Sequence, residues 1–330
     1  MFFVFISQFY ALLSCLSTFV KLSMKIKIIA ILILVIVLAD FTGCSNKNLD
    51  MRYAMNRNVC KRLAGTTLLY VIFVDTKATK PWTGFDIRST LDSLQLAINW
   101  IQDQAQNNGK SVKLQLEYFH HGETYTISKE LPKKMLYESV KAFTDNQGTK
   151  KINTWANNIS KKTLISFPET TTFNKLLTAA NSNPNKPLKP SDTEKLIIAL
   201  KEKYKTDNIA VGFMLNNYYK NDISLNMNML SNLTPEYFIN SYKNPTLITQ
   251  QILNLFGALN LYKSPKDETK LAENDPLINR DFPNEIMLMQ ENKHLSALII
   301  SPITQYLLGW TNTVDHKYNK VFKRDFAIEN

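Results

Sequence analysis

Four amide side chains lie close together in the stretch Thr249–Tyr262, whose sequence is TQQILNLFGALNLY. Gln250 and Asn254 are four residues apart and therefore share one face of a predicted helix, and Gln251 and Asn260 lie near them in the sequence. Two histidines at this spacing would bind zinc, but an amide oxygen is a weak, neutral metal ligand. A glutamine also has no basic lone pair with which to take a proton from water. The stretch therefore has the spacing of a metal site without the chemical groups that such a site needs.

The same stretch resembles the active-site helix of metzincin-like zinc metallopeptidases, whose motif is H-E-x-x-H-x-x-G-x-x-(H/D). The resemblance implies that Gln250 and Asn254 stand at the two histidine positions and that Gln251 stands at the general base. It also implies that Gly257 turns the chain and that Asn260 stands at the third metal ligand. Because Gln and Asn are close in shape to Glu and Asp, a fold could keep its packing while it loses the charge. The resemblance therefore predicts a degenerate site that holds no metal or other cofactor and catalyses no reaction.

A second block, Asp281–Met287 (DFPNEIM), follows about twenty residues later and resembles the Met-turn, with which these peptidases bring a methionine beneath the metal. This resemblance assigns that methionine to Met287. Together the two blocks imply an α/β (α+β) fold, namely a metzincin-like zincin catalytic domain with a mixed twisted sheet and a degenerate active-site helix. An amphipathic helix that ends in an ordinary glycine cap is the alternative explanation of the first block.

The histidines offer no clear replacement for this site. The chain has four, and two of them, His120 and His121, are adjacent after a predicted strand. Neighbouring residues of a strand point to opposite faces, so a shared metal would require the pair to lie in a loop. His294 and His316 lie singly among polar residues and are predicted to be solvated. No serine or cysteine nucleophile with a matching base stands out.

The N-terminal region predicts export. Met24–Lys27 is short and basic, residues 28–39 are apolar, and Phe41–Cys44 (FTGC) ends the run. This order is typical of a secretory signal that is too short for a comfortable membrane span, although an uncleaved anchor is the alternative. Phe41–Cys44 resembles a bacterial lipobox, which implies cleavage before a diacylated Cys44. Because residue 45 is Ser rather than Asp, the resemblance implies residence at the outer membrane of a bacterial cell envelope.

These signals divide the chain into four predicted regions. Residues 1–43 form the signal region, in which Met24 is the expected start, although residues 1–23 and 28–39 could also form two spans. Residues 44–65 form a lipidated tether, residues 66–312 the zincin-like domain, and residues 313–330 a C-terminal tail. Apart from Cys44 the mature chain has one cysteine, Cys60, which cannot form an intramolecular disulfide. Stability must therefore come from an ordinary hydrophobic core.

The chain is basic, with 39 Lys and Arg against 28 Asp and Glu and a formal net charge of +11. A basic protein could bind nucleic acid, an anionic membrane surface or an acidic protein partner. The lysines are scattered, however, and no nucleic-acid recognition motif is present. Nucleic acid is therefore the least favoured partner of an exported lipoprotein, and solvated surface lysines are the simplest interpretation.

Strands alternate with helices along the predicted domain, which favours an α/β sheet. Capping boxes begin two of the helices, and a cap followed by a first-turn proline begins a third. The predicted elements are strands 68–75, 112–118 and 209–215, a helix from Thr83–Asp86 to Gly109, helical material around 134–162, a loop 168–190, helix 191–204 from Ser191–Glu194, and helix 246–257 after Asn244-Pro245.

Three classes of function remain open from the sequence. A zincin cleft lies along an edge strand and can bind an extended peptide by main-chain pairing, which needs no metal. The first hypothesis is therefore a pseudoenzyme, anchored through Cys44, that binds a peptide or protein partner, for example as an inhibitor or an immunity-type protein. The alternatives are an active hydrolase that uses unrecognised residues and a structural or adhesive envelope lipoprotein. Drift after loss of function would explain the four amides equally well.

Overall fold

A mixed β-sheet with helices on both faces forms the body of the protein. The computed structural model describes residues 63–132, 146–168, 191–206, 208–216, 224–227, 237–241, 243–263, 273–290 and 293–322. All of these residues belong to one compact unit, Met51–Asn330. Six strands of this part of the chain form the main sheet: β1 (Gly65–Asp75), β2 (Val112–Tyr118), β3 (Thr126–Ser128), β4 (Asn208–Leu215), β5 (Ser224–Met227) and β6 (Tyr237–Asn240). Two short strands, β7 (Tyr262–Lys263) and β8 (Glu273–Asn274), form a separate antiparallel pair.

The main sheet has the strand order β2-β1-β4-β6-β5. β1 pairs in parallel with β2 and β4, and β4 pairs in parallel with β6. β3 extends the β2 side of the sheet, because it pairs in parallel with the last three residues of β1. β5 pairs antiparallel with β6, with Leu225 opposite Ile239, and ends this order of strands. The sheet is therefore parallel at its centre and has an antiparallel strand at the β5 edge.

Three of the described helices begin where the sequence places their caps. Thr83 and Asp86 form a reciprocal capping box, and so do Ser191 and Glu194. Asn244 accepts a hydrogen bond from the backbone N–H of Thr246 and precedes a proline, so all three predicted caps are confirmed. The helices are α1 (Gly84–Asn107), α2 (Asn146–Leu164), α3 (Asp192–Tyr204), α4 (Pro245–Leu255), α5 (Pro276–Asp281), α6 (Pro302–Leu307) and α7 (Asn319–Phe322). Single 3₁₀ turns occupy Leu295–Ala297 and His316–Tyr318.

Two hydrophobic layers cover the two faces of the sheet. Leu69, Val71 and Phe73 of β1 pack on the face covered by α1 and α4, together with the C-terminal part of the chain. The intervening residues of β1 pack on the opposite face, beneath α2 and α3. Because both faces are covered, β1 is buried along nearly its whole length, as the central strand of a parallel sheet requires. The architecture is three-layered, with α4 held against the sheet.

A glycine in β4 makes room for an aromatic ring on the neighbouring strand β6. A Cβ atom at Gly212 would lie 2.4 Å from the ring of Phe238 on β6. Both positions are paired across the strands, and the Phe238 ring belongs to the core beneath α1 and α4. Gly212 therefore leaves the space that this ring occupies.

The mixed α/β fold predicted from the sequence is confirmed, and buried residues are found on both sides of the range 66–312. β1 begins at Gly65 and Leu63 is already buried, and Tyr318 and Val321 are buried near the other end. The packed body therefore extends beyond residues 66–312 in both directions, into the predicted tether and tail. The signal region, Cys44, Cys60 and most of the predicted loop 168–190 lie outside the described residues. Among the residues that the structure describes, no helix is both long and apolar enough to span a bilayer.

Candidate functional site

The candidate site is built on α4, which follows β6 directly and packs against α1, β5 and β6. The helix presents Ile248, Ile252 and Leu255 to the core. Its amide residues Gln250 and Asn254 are also buried, with 5% and 7% of their surface exposed. A buried amide is costly unless its hydrogen bonds are made. The partners of these two side chains therefore determine how the site is held.

Gln250 ties α4 to the segment that contains Met287. Its Nε2 donates to the main-chain oxygen of Ile286 at 2.6 Å and to that of Leu288 at 3.1 Å. Both bonds are buried, and they join residues 36 and 38 positions apart in the chain. Two carbonyl partners fix the orientation of the amide, since only the NH₂ group can donate to them. Gln250 thus acts as a cross-link at the position where the resemblance implies a metal-binding histidine.

Asn254 and Asn260 are brought together by the turn that follows the helix. Asn254 Nδ2 donates to Asn260 Oδ1 at 3.0 Å. Gly257 lies between them with a φ of 106°, a conformation that side chains with a Cβ rarely adopt. The distance is that of an ordinary hydrogen bond between two neutral amides.

Met287, which the resemblance assigns to the Met-turn, is joined to the chain that follows this turn. It is fully buried, and its main-chain oxygen accepts a hydrogen bond from Leu261 N at 2.8 Å. The chain after α4 is thereby joined to the predicted Met-turn segment. Gln251, at the position implied for the general base, is half-buried on the neighbouring face of α4. The structure therefore brings Gln250, Asn254, Asn260 and the Met287 segment into one cluster.

Glu285, to which the sequence assigned no role, anchors the Met287 segment. This carboxylate is fully buried and accepts hydrogen bonds from the N–H of Met287 at 3.1 Å, from the N–H of Ser301 and from the hydroxyl of Thr304 at 2.9 Å. Ser301 caps the start of α6 and Thr304 lies within that helix. Glu285 therefore connects the Met287 segment to α6. Gln290 adds a second connection, because its Nε2 donates to the main-chain oxygens of Pro283 and Glu285.

Burial governs the proton affinity of Glu285. Removal from water raises the pKa of Glu285 above its ordinary value, and the hydrogen bonds from Ser301, Met287 and Thr304 oppose that rise without cancelling it. At the surface nearby, hydrogen bonds from Arg280, Lys317 and Tyr318 hold the pKa of Asp281 far below its usual range. The two carboxylates of this segment thus differ because Glu285 is fully buried among neutral donors, whereas Asp281 is half-buried beside two cations.

The four histidines lie at three separate places along the described chain. His120 and His121 follow the end of β2 in a loop, where His121 forms a bridge with Thr124 and His120 stacks with Tyr125. His294 caps a 3₁₀ turn, with its Nδ1 2.8 Å from Ser296 Oγ. No group of three or more His, Cys, Asp or Glu residues within the described ranges could hold a metal ion.

The chemistry available at the cluster is that of neutral hydrogen-bonding groups. Gln250 and Asn254 have their amides engaged with carbonyl oxygens, and Asn260 has an exposed amide at the rim. Such groups can hold a main chain but are poor ligands for zinc. No family model, curated protein or solved structure matches the chain significantly. The cluster must therefore be interpreted from its own geometry.

Proposed function

We propose that the protein is a catalytically inactive, metzincin-like pseudoenzyme that binds an extended segment of a peptide or protein partner along β5. The observation that carries this proposal is the set of hydrogen bonds made by Gln250 and Asn254. They hold together the helix, the turn and the Met287 segment with amides in place of metal ligands. Such connections support the proposal of a metallopeptidase frame that has lost its charged and metal-binding groups.

The order of elements supports a metzincin-like frame. α4 follows β6, the chain turns at Gly257, and the segment around Met287 is hydrogen-bonded to the chain after the turn. These are the parts that the resemblance implies, in the implied order. The side chains of Asn254 and Asn260, which stand at two of the implied ligand positions, also meet at the turn.

The position of β5 supports peptide binding. β5 is the last strand of the main sheet in the described part of the chain, where it is paired with β6 on one side. An edge strand can pair its outward N–H and C=O groups with an extended peptide. α4 packs against β5, so a peptide beside β5 would run close to the amide cluster. Asn260, which is exposed, would then be available to bond the main chain of the peptide.

Export and lipidation complete the proposal. The lipobox-like Phe41–Cys44 implies a diacylated Cys44 in a bacterial cell envelope, at the outer membrane. A domain that binds peptide segments without cleaving them is suited to an inhibitor or an immunity-type protein, because both must hold a partner and leave it intact. Membrane attachment would keep this activity at the cell surface or in the periplasm.

Selection of peptides from a random display library tests the binding proposal. Peptides that bind should lose affinity when alternate backbone nitrogens are methylated, since N-methylation removes the donors that pair with a strand edge. They should also slow hydrogen exchange of residues 224–227 in β5, while β2 at the opposite edge serves as the internal control. Binders that tolerate methylation at every position, or that protect other residues instead, would rule out this mode of binding.

Restoration of the metal ligands tests the frame independently. A quadruple variant should bind one zinc per chain with about micromolar affinity or better, even if turnover stays poor. The carbonyls of Ile286 and Leu288, which now accept from Gln250, are expected to accept the second N–H of the new imidazole and so orient it. The substitutions are Gln250→His, Gln251→Glu, Asn254→His and Asn260→Asp.

The parent protein is the control for this titration. It should contain no stoichiometric zinc, and a chelator should leave its melting temperature unchanged, because a bound metal stabilises the folded state by linkage. The two triple variants that omit either Gln250→His or Asn254→His should bind zinc far more weakly than the quadruple variant. A quadruple variant that folds and binds no zinc would remove the metzincin-like assignment.

A further inference from the structure

Three segments of the chain meet at residues 64–66, where β1 begins. Together they form one end of the sheet. The N–H of Gly65 donates to Ser111 O at 2.8 Å, which holds the loop between α1 and β2. Thr206 Oγ1 donates to Thr66 O at 2.6 Å and Asn208 Nδ2 donates to Ala64 O at 2.8 Å, which hold the loop between α3 and β4. These contacts define one surface, the amino-terminal edge of the parallel strands.

Three exposed lysines lie on this amino-terminal edge. Lys110 is next to Ser111, and Lys205 is next to Thr206. Lys113 lies in β2, opposite Thr66 of β1. The sequence of the same segments contains one acidic residue, Asp207, which lies outside the described residues. The edge is therefore cationic in the part that the structure describes.

Lys205 occupies a position whose backbone geometry favours glycine. It ends α3 with a φ of 53° and is the one non-glycine residue of the described chain with a positive φ. Glycine is the usual residue at such a helix end, because a Cβ atom is strained in the left-handed conformation. A lysine is present there in spite of this strain, so the local conformation does not explain the choice of residue.

The chain that leads into this edge is also basic. Residues 51–62 contain Arg52, Arg57, Lys61 and Arg62 and no acidic residue. Eighteen residues, 45–62, separate Cys44 from the buried Leu63. Basic residues close to a membrane attachment point are attracted to anionic lipid headgroups. The positive charge thus continues from the sequence after the predicted anchor onto the folded edge.

We propose that the amino-terminal edge, through Lys110, Lys113 and Lys205, docks on an anionic phospholipid surface. The inference rests on the proposed attachment at Cys44, because the chain that follows Cys44 enters the folded body at this edge. Docking would turn the opposite, carboxyl-terminal edge of the strands away from the membrane. The strands would then point away from the membrane surface, and the β5 edge would remain accessible to a partner.

Partition into vesicles tests the proposal without an acyl chain. The mature chain from residue 44, carrying Cys44→Ser, should bind vesicles that contain 30% phosphatidylglycerol and should not bind pure phosphatidylcholine. Each lysine near an anionic surface contributes about fivefold to the partition coefficient. The triple variant Lys110→Gln, Lys113→Gln, Lys205→Gln should therefore partition about 100-fold less.

A second triple variant provides a control with the same change in charge. Lys77, Lys129 and Lys161 lie at the carboxyl-terminal edge, after β1, after β3 and in the last turn of α2. Lys77→Gln, Lys129→Gln, Lys161→Gln should change the partition less than about threefold, since these residues lie farther from the surface than the Debye length of about 10 Å. Equal losses in the two variants would mean that only net charge matters and would overturn the proposal.

Lysine labelling of the acylated protein extends the test to the anchored state. In anionic vesicles Lys110, Lys113 and Lys205 should react several-fold more slowly with an amine reagent than in zwitterionic vesicles, and Lys77 should react equally in both. The mass of the protein would show separately whether it is acylated. The vesicle partition result does not depend on acylation, because that assay uses the Cys44→Ser chain. If soluble polyglutamate competed for the protein as strongly as the anionic vesicles do in the partition assay, the edge would be assigned to an acidic protein instead. That result would overturn the bilayer proposal.

Discussion

Replacement of Gln250 by methionine should destabilise the protein strongly, although the two side chains have similar volumes. The side chain is 5% exposed, so the change removes two buried hydrogen bonds without opening a large cavity. A buried polar group that loses its partner costs about 1–3 kcal/mol. Within the described residues, no other donor reaches the main-chain oxygens of Ile286 and Leu288, so the substitution leaves both without a partner. Water that reaches these oxygens should lower the resulting loss of stability. We therefore expect the free energy of unfolding to fall by about 3 kcal/mol.

Urea denaturation followed by circular dichroism measures this change. The transition midpoint should fall with little change in the m-value, and the melting temperature should fall by roughly 6–12 °C, since 1 kcal/mol corresponds to about 2–4 °C at this size. Gln106→Met is the matched control, because Gln106 is an exposed glutamine of α1 and should change stability by less than about 0.5 kcal/mol. If Gln250→Met is as stable as this control, the hydrogen bonds from Gln250 do not hold α4 to the Met287 segment.

Three further outcomes are expected. Cys44→Ala should leave an unprocessed precursor or a soluble protein, because stable anchoring requires acyl chains; membrane retention of a processed Cys44→Ala protein, measured by fractionation, would contradict the lipobox. Burial raises the pKa of Glu285 in the folded state, so its contribution to stability is largest below the unfolded pKa of about 4.3 and is lost as the pH rises through the higher folded value. The stability of the parent relative to Glu285→Gln should therefore fall between pH 4 and pH 7 in parallel urea titrations, and a rise would show that the hydrogen bonds dominate instead. Lys205→Gly should raise the free energy of unfolding by about 0.5–1 kcal/mol, because it relieves the left-handed conformation of a residue with a Cβ; a loss of stability would contradict that conformation.

The sequence alone determined the elements whose signals are local. The capping boxes at Thr83–Asp86 and Ser191–Glu194 and the cap at Asn244 depend on residues no more than three positions apart. The buried strands β1 and β4 are long apolar runs, and their ends were predicted to within three residues. Local hydrogen bonds and hydrophobic patterns decide such features, so they can be read before the chain is folded.

Short strands could not be found in this way. β5 and β6 have four residues each, which is too few to show a period. β6 is buried along its whole length, so it does not alternate either. The position of β5 at the edge depends on its pairing with β6 and on the pairing of β6 with β4. A partner strand supplies that information, and the segment itself does not contain it.

At the candidate site the sequence indicated which residues belong together, and the tertiary structure decided how they are bonded. The spacing of Gln250, Asn254, Gly257 and Asn260 and the distance to Met287 suggested a frame whose reactive groups are absent. The hydrogen bonds from Gln250 to the carbonyls of residues 286 and 288, and the burial of Glu285 against α6, span tens of residues. Residue types fix which groups are able to donate or accept, but only the folded chain determines which donor meets which acceptor away from water.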